Sequence, residues 1–133
     1  TEFAYTSQFS SHTMEYFVKL TENYNMIPVL THVERYPALI NDPSIIGELK
    51  DMGVIIQTNT NSYTKKASFF SKLKLIKLIK GGYIDVIGSD AHSLTHNDPR
   101  TFTEALDFIS AKCGQSTVRK MMSNAEEIFN SAL

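Results

Sequence analysis

The sequence predicts an α/β fold, with parallel strands at its centre and helices outside. Three observations predict it. Short apolar runs rich in β-branched residues recur at residues 26–30, 54–59 and 83–88, each bounded by turn formers. Segments with helical spacing of apolar residues lie between them. Glycines fall where helices must end, at Gly53 and at Gly81-Gly82. Strand and helix alternate four times, counting an opening stretch at residues 1–5 that reads as the tail of a strand. Such alternation points to a parallel sheet or barrel wall with right-handed crossovers.

Taken in order, Thr1-Glu2-Phe3-Ala4-Tyr5 begins without a methionine, which suggests a piece cut from a longer protein. A polar stretch leads to a helix with Glu15 in its first turn and Met14, Phe17, Val18 and Leu20 toward one face. The run Met26-Ile27-Pro28-Val29-Leu30 forms the next strand and ends at Thr31-His32. Pro37 and Pro43 bracket a short helix, and Asp42 or Ser44 caps the one after it. Val54 to Asn59 is a strand, followed by a polar loop and a helix from about residue 68 to 80, with Phe69, Leu73 and Ile76 inward. After Gly81-Gly82 comes the strand that ends in Ile87-Gly88-Ser89. Phe102, Ala105, Leu106 and Ile109 make an amphipathic helix, and Gly114 starts a shorter one around Val118, Met121 and Met122. A last helix is expected from Asn124 to Leu133.

The 133 residues fit one domain. A net charge of -1 gives no general reason to expect nucleic acid or an acidic membrane as partner. Cys113 is the sole cysteine, so an internal disulfide is excluded and a reducing compartment, the cytoplasm, is the natural expectation. Cys113 reads as a small semi-buried residue rather than a nucleophile.

Chemistry gathers where strands end. Asp90 and His92 stand two positions apart, a spacing that on an extended segment aims both side chains one way. Glu2 lies in the first strand, His32 ends the second and Asn59 the third. In alternating α/β folds that end of the sheet gathers ligands and catalytic groups. Imidazole with carboxylates suits manganese, iron or zinc, and the absence of cysteine ligands argues against a closed structural zinc site. His32 alone reads equally as a hydrogen-bonded strand-end histidine. The nearby Arg35 offers a fork of donors matched to phosphate oxygens, and Glu34 either pairs with Arg35 or orients an imidazole. Asn59 reads at least as readily as the residue that closes its turn. His12 and His96 read as solvated loop histidines. Lys65, Lys66, Lys72, Lys74, Lys77 and Lys80 read as a solvated face, the alternative being steering of an acidic substrate.

Several stretches resemble one family. Ile27-Pro28-Val29-Leu30-Thr31-His32-Val33-Glu34-Arg35-Tyr36 is similar to its IPVxAHxERY segment. Met52-Gly53-Val54 through Gln57-Thr58-Asn59 is similar to its GVxxQxN strand, and Ile87 to His92 to its IASDAH. Glu2-Phe3 resembles the EF that ends an earlier strand, and Asn124-Ala125-Glu126-Glu127-Ile128 its NPxxI. Together they resemble the CpsB/CapC-type bacterial manganese-dependent tyrosine phosphatases of the polymerase and histidinol phosphatase (PHP) superfamily. The resemblance implies the C-terminal part of a distorted PHP-type (β/α)7 barrel, with the N-terminal strands missing. It implies Glu2, His32, Asp90 and His92 as metal ligands, and Arg35, Asp90 and His92 as catalytic groups, with Arg35 contacting phosphate. The implied cofactor is Mn2+, with Fe, Zn or Co as other candidates. The implied partner is a phosphotyrosine-containing protein, the tail of a bacterial tyrosine kinase in capsule or exopolysaccharide synthesis.

The family's amino-terminal His-x-His, a second early histidine and a further glutamate have no counterpart in this sequence. The expectation is therefore weak activity or none for this chain alone. Two other readings stay open: a PHP-type phosphoesterase for a small ester such as histidinol phosphate, and a non-catalytic remnant. Ser93 and Asp98-Pro99-Arg100 replace the family's Asn and Arg-Pro, which leaves Arg100 without an assigned role.

Overall fold

In a computed structural model, residues 1–93 and 98–132 are described. Three strands, β1 (Val29–Leu30), β2 (Ile55–Asn59) and β3 (Val86–Gly88), form a parallel sheet in the order β1-β2-β3. Val29 pairs with Ile55, and Gln57 to Asn59 pair with Val86 to Gly88. Among the described residues six α-helices flank them: α1 (Ser11–Val18), α2 (Pro37–Asn41), α3 (Pro43–Asp51), α4 (Phe69–Lys80), α5 (Thr101–Cys113) and α6 (Gln115–Ser131). None is long and apolar enough to cross a membrane.

The same device feeds β2 and β3. Gly53 (φ +87°) follows α3, its N–H donating to Lys50 O and that of Val54 to Leu49 O. Gly82 (φ +78°) follows α4, its N–H donating to Ile79 O and that of Tyr83 to Leu78 O. Both are Schellman closures, which need a left-handed residue and hence glycine. Each helix is thereby turned directly into the next strand. At the start of α3, Pro43 occupies the first turn and the Asp42 side chain accepts from Ser44 N at 3.2 Å.

β2 is central and buried nearly throughout, as expected for a parallel strand covered on both sides. Ile56 and Thr58 share one face, and Gln57 and Asn59 share the other. Leu30, Ile56 and Ile87 meet Leu39, Ile46, Leu49, Ile76, Ile79 and Ile109 in a single core. Each such side chain contributes about 1.5–3 kcal/mol on burial. Thr58 and Tyr63 hydroxyls bond at 2.7 Å, which satisfies two polar groups inside that core. Burial pushes the Tyr63 phenol well above its ordinary range.

Several expectations are corrected. Residues 1–5 form no strand, although Thr1 does pair with β1: its N-terminal amine donates to Val29 O at 2.7 Å and its carbonyl accepts from Thr31 N at 3.2 Å. The chain then turns at Tyr5-Thr6. The strand expected over residues 26–30 is two residues long, and Met26 and Ile27 are exposed. On α4 the buried residues are Leu75, Ile76, Leu78 and Ile79, while Phe69 in the first turn faces solvent. The two helices expected after Gly114 are one, α6. Asn124 lies within it, and its Nδ2 donates to Asp85 O, which ties the middle of the helix to the residue before β3. The end of the last helix at Leu133 lies outside the described residues, as does His96.

Candidate metal and phosphate site

The turn after β1 is built around His32. It adopts the left-handed conformation (φ 58°, ψ 40°) and opens a 3-10 turn over Val33–Arg35. A non-glycine residue held there carries backbone strain, which persists where surrounding contacts fix it. Those contacts come from the inner face of β2. Gln57 Oε1 accepts from His32 N at 3.0 Å, and Asn59 Oδ1 lies 2.9 Å from His32 Nδ1. The Asn59 oxygen also accepts from Gln57 Nε2 at 3.1 Å. Because that oxygen only accepts, Nδ1 is the donor of the pair and Nε2 is the ring nitrogen turned away from it. Nε2 faces Asp90 Oδ2 at 3.9 Å.

Gly88, paired with Asn59, makes room for this arrangement. A Cβ at that position would lie 2.6 Å from Gln57 Nε2. On the other side of Asn59, Glu34 Oε1 accepts from Asn59 N at 3.1 Å and from Ser62 Oγ at 3.2 Å. Burial pushes the Glu34 carboxyl above its ordinary range, against the opposing pull of these bonds and of His32. Glu34 Oε2 and Asn59 Nδ2 are buried without a hydrogen-bond partner among the described residues. Of the two expectations for Glu34, no ion pair with Arg35 forms among the described residues, and the link to an imidazole runs indirectly through Asn59. It supports Asn59, which in turn orients the ring.

The turn after β3 is different in kind. The strand ends at Gly88, and Asp90 takes the left-handed conformation (φ 50°). His92 Nδ1 lies 2.8 Å from the Asp90 carbonyl oxygen, and His92 is exposed. The expectation that Asp90 and His92 lie on one extended segment is therefore corrected, because the backbone turns at Asp90 and folds the His92 ring back on it. Asp90 reaches His32 through the turn, not through period-two alternation.

Arg35 and Glu2 meet at a third residue. Arg35 Nη1 donates to Tyr5 Oη at 2.7 Å, and Tyr5 Oη donates to Glu2 Oε1 at 3.1 Å. The Tyr5 bond, with Glu34 and Asp90 nearby, holds the guanidinium firmly charged. Arg100 pairs with Asp98 in the solvent. His12 is exposed beside Glu15, as expected, but in the first turn of α1 and not in a loop. Most of the lysines from 65 to 80 are exposed, and Lys72 lies 4.9 Å over the Phe108 ring. Cys113 is half-buried, with its thiol pushed up by desolvation.

The donor set fits a divalent cation in part. An imidazole anchored through Nδ1, with Nε2 turned toward a carboxylate, is an arrangement that suits a metal-binding histidine. Yet among the described residues no group of three or more His, Cys, Asp or Glu side chains stands close enough to hold an ion. A cavity of about 450 Å³ lined by Val29, Lys50, Ile55, Asp85 and Asn124 lies at the opposite, amino-terminal ends of the strands. There Lys50 pairs with Asp85, whose Oδ2 accepts from Ile56 N.

Residues 1–130 match the profile of the family described as capsular polysaccharide synthesis, CpsB/CapC. The chain belongs to the CpsB/CapC family. It is 32% identical over 99 residues to the tyrosine-protein phosphatase CpsB of Streptococcus pneumoniae, covering 71% of this chain and 40% of that protein. To CpsB of Streptococcus agalactiae it is 29% identical over 108 residues, covering 77% of this chain and 44% of that one. It superposes with a TM-score of 0.81 and 24% identity on a solved chain from crystal structures of YwqE from Bacillus subtilis and CpsB from Streptococcus pneumoniae. Those proteins are described as unique metal-dependent tyrosine phosphatases. That match covers 94% of this chain and 49% of the solved one, so this CpsB/CapC chain spans less than half the length of the relatives it matches. The likeness bears out the parallel α/β fold.

Sequence reasoning missed Tyr5 and gave Gln57 no role. For Gln57 a signal existed: two amides at i and i+2 in one buried strand put a polar pair on one face. Nothing in the spacing of Tyr5 marked its contact with Arg35, which arises from a turn.

Proposed function

We propose that this chain carries one wall of a metal-dependent phosphotyrosine-protein phosphatase site of the PHP type. The observation that carries the reading is Nε2 of His32 facing the Asp90 carboxylate, with the Arg35 guanidinium nearby. The family membership and the names of the relatives support it. His32 and Asp90 would hold the cation; Glu2 and His92, the further donors that the resemblance implies, do not converge on them among the described residues. When bound, a divalent ion, Mn2+ by resemblance, supplies Lewis acidity and activates water for attack on phosphorus. Asn59 and Gln57 hold His32 with its Nε2 turned toward Asp90. Arg35 binds the phosphoryl oxygens and stabilises the charge that grows on them. The substrate we assign is the phosphotyrosine tail of a cytoplasmic-facing tyrosine kinase in capsule or exopolysaccharide synthesis.

The test is hydrolysis of a phosphotyrosyl peptide by this chain with and without Mn2+, beside small esters such as histidinol phosphate. Turnover should be slow, should require the metal and should fall at least about tenfold in Arg35→Ala and Asp90→Asn, the loss of one charged transition-state contact. Turnover indifferent to metal and to both substitutions, or a preference for histidinol phosphate, would contradict the reading.

A further inference from the structure

Tyr5 occupies an unusual position for a surface residue. It is 43% exposed, yet its hydroxyl bridges Glu2 and Arg35, two residues of the proposed site. The Arg35 guanidinium carbon also lies 5.6 Å from the centre of the Tyr5 ring. Beneath it, Tyr5 packs edge-to-face on Tyr36, with centroids 5.9 Å apart and planes at 65°. Tyr36 is fully buried, and its own hydroxyl is bonded to Phe3 N and Phe3 O. It also packs edge-to-face on the buried Phe9. An exposed aromatic ring is thus mounted on a rigid base beside a guanidinium with five N–H donors, one of which it holds.

We infer that Tyr5 is the specificity-determining residue of this site, offering its ring to the aromatic ring of an aryl phosphate whose phosphoryl group Arg35 binds. The inference rests on Arg35 being the phosphate contact. A phosphotyrosyl side chain carries an anionic group and an aromatic ring on one rigid axis. Arg35 and Tyr5 present the matching pair, a fork of donors and an aromatic surface, held to each other by a hydrogen bond. A seryl phosphate satisfies the guanidinium but brings no ring for Tyr5. Discrimination between the two therefore comes from Tyr5. The phenolic hydroxyl has a separate task, which is to hold Arg35 in place.

The experiment is calorimetric titration of the 133-residue chain, in Mn2+, with two peptides identical except for phosphotyrosine or phosphoserine. The wild-type chain should favour phosphotyrosine by roughly three- to tenfold, the range of one aromatic pair. Tyr5→Leu should bring that ratio to about one. Tyr5→Phe keeps the ring and should keep the ratio, while binding of both peptides weakens because Arg35 loses its partner. If the wild-type chain binds neither peptide, or Arg35→Ala leaves both affinities unchanged, the phosphate reading of Arg35 fails and takes the inference with it. If Arg35→Ala abolishes binding but Tyr5→Leu retains the preference, the site stands and Tyr5 is not its specificity residue. A Tyr5→Phe ratio that falls to one overturns the inference as well.

Discussion

At the end of β1 the His32 ring is buried, and both its backbone N–H and its Nδ1 are held by amides from the neighbouring strand. At the end of β3, Asp90 and His92 stand in a turn, and the His92 ring folds back on the Asp90 carbonyl. Both turns contain a left-handed non-glycine residue, and among the described residues the buried side-chain network lies at the first. The contrast has a physical source. β2 is the central strand, so its inner face can reach across to the β1 turn, and Gln57 and Asn59 both lie on that face. The two halves of the proposed site should therefore respond differently to substitution.

The strongest way to break the comparison is Asn59→Leu. It strips an acceptor from His32 Nδ1 and from Gln57 Nε2 while leaving both donors buried, and should cost about 2–4 kcal/mol in urea unfolding. A cost below about 0.5 kcal/mol, the usual effect of a surface change, would show that the amide network does not hold the β1 turn. Gly88→Ala comes next. Its Cβ would displace the Gln57 amide from the His32 N–H, an overpacking effect of about 1–3 kcal/mol, visible as a lowered thermal midpoint.

Glu34→Gln sharpens the comparison through pH. The Glu34 carboxyl has its folded pKa raised above the unfolded value of 4.5, so the folded state binds more protons in the window above 4.5. Stability then falls as pH rises through that window and levels off above the folded pKa. Glutamine cannot titrate, so the difference between Glu34→Gln and wild type should grow in favour of the variant from pH 4.5 upward. Parallel unfolding curves across pH 4 to 8 would contradict this role for Glu34. His92→Ala should have the smallest effect, within about 0.5 kcal/mol, because the side chain is exposed and its bond is local. A larger loss by calorimetric unfolding would mean that the β3 turn is clamped after all.

Much of the fold was legible because helix stops and strand starts are local events. Gly53 and Gly81-Gly82 announced the two helix-to-strand turns, and Pro43 with Asp42 announced α3. What escaped was tertiary. The sequence could not show that α6 runs unbroken through Asn124, whose side chain bonds to the backbone beside β3. Nor could it show that Phe69, at the start of α4, lies beyond the reach of the core. At the site, His32, Asp90 and Arg35 were readable as residue types at strand ends. Their geometry was not, since it depends on left-handed turns at His32 and Asp90 that few sequence signals mark in residues other than glycine. Asn59 reads in the sequence as either a strand-end site group or a turn closer, and its side chain bonds the ring of the histidine one strand away.

Our central proposal is that His32 and Asp90, which the fold brings to 3.9 Å, would together bind a cation. Calorimetric titration of the chain with Mn2+, beside His32→Ala and Asp90→Asn, tests it most directly. The account predicts that the wild-type chain binds the ion and that each substitution lowers the affinity about tenfold or more, the scale of a lost ligand or its support. Equal Mn2+ affinity in all three proteins would contradict it.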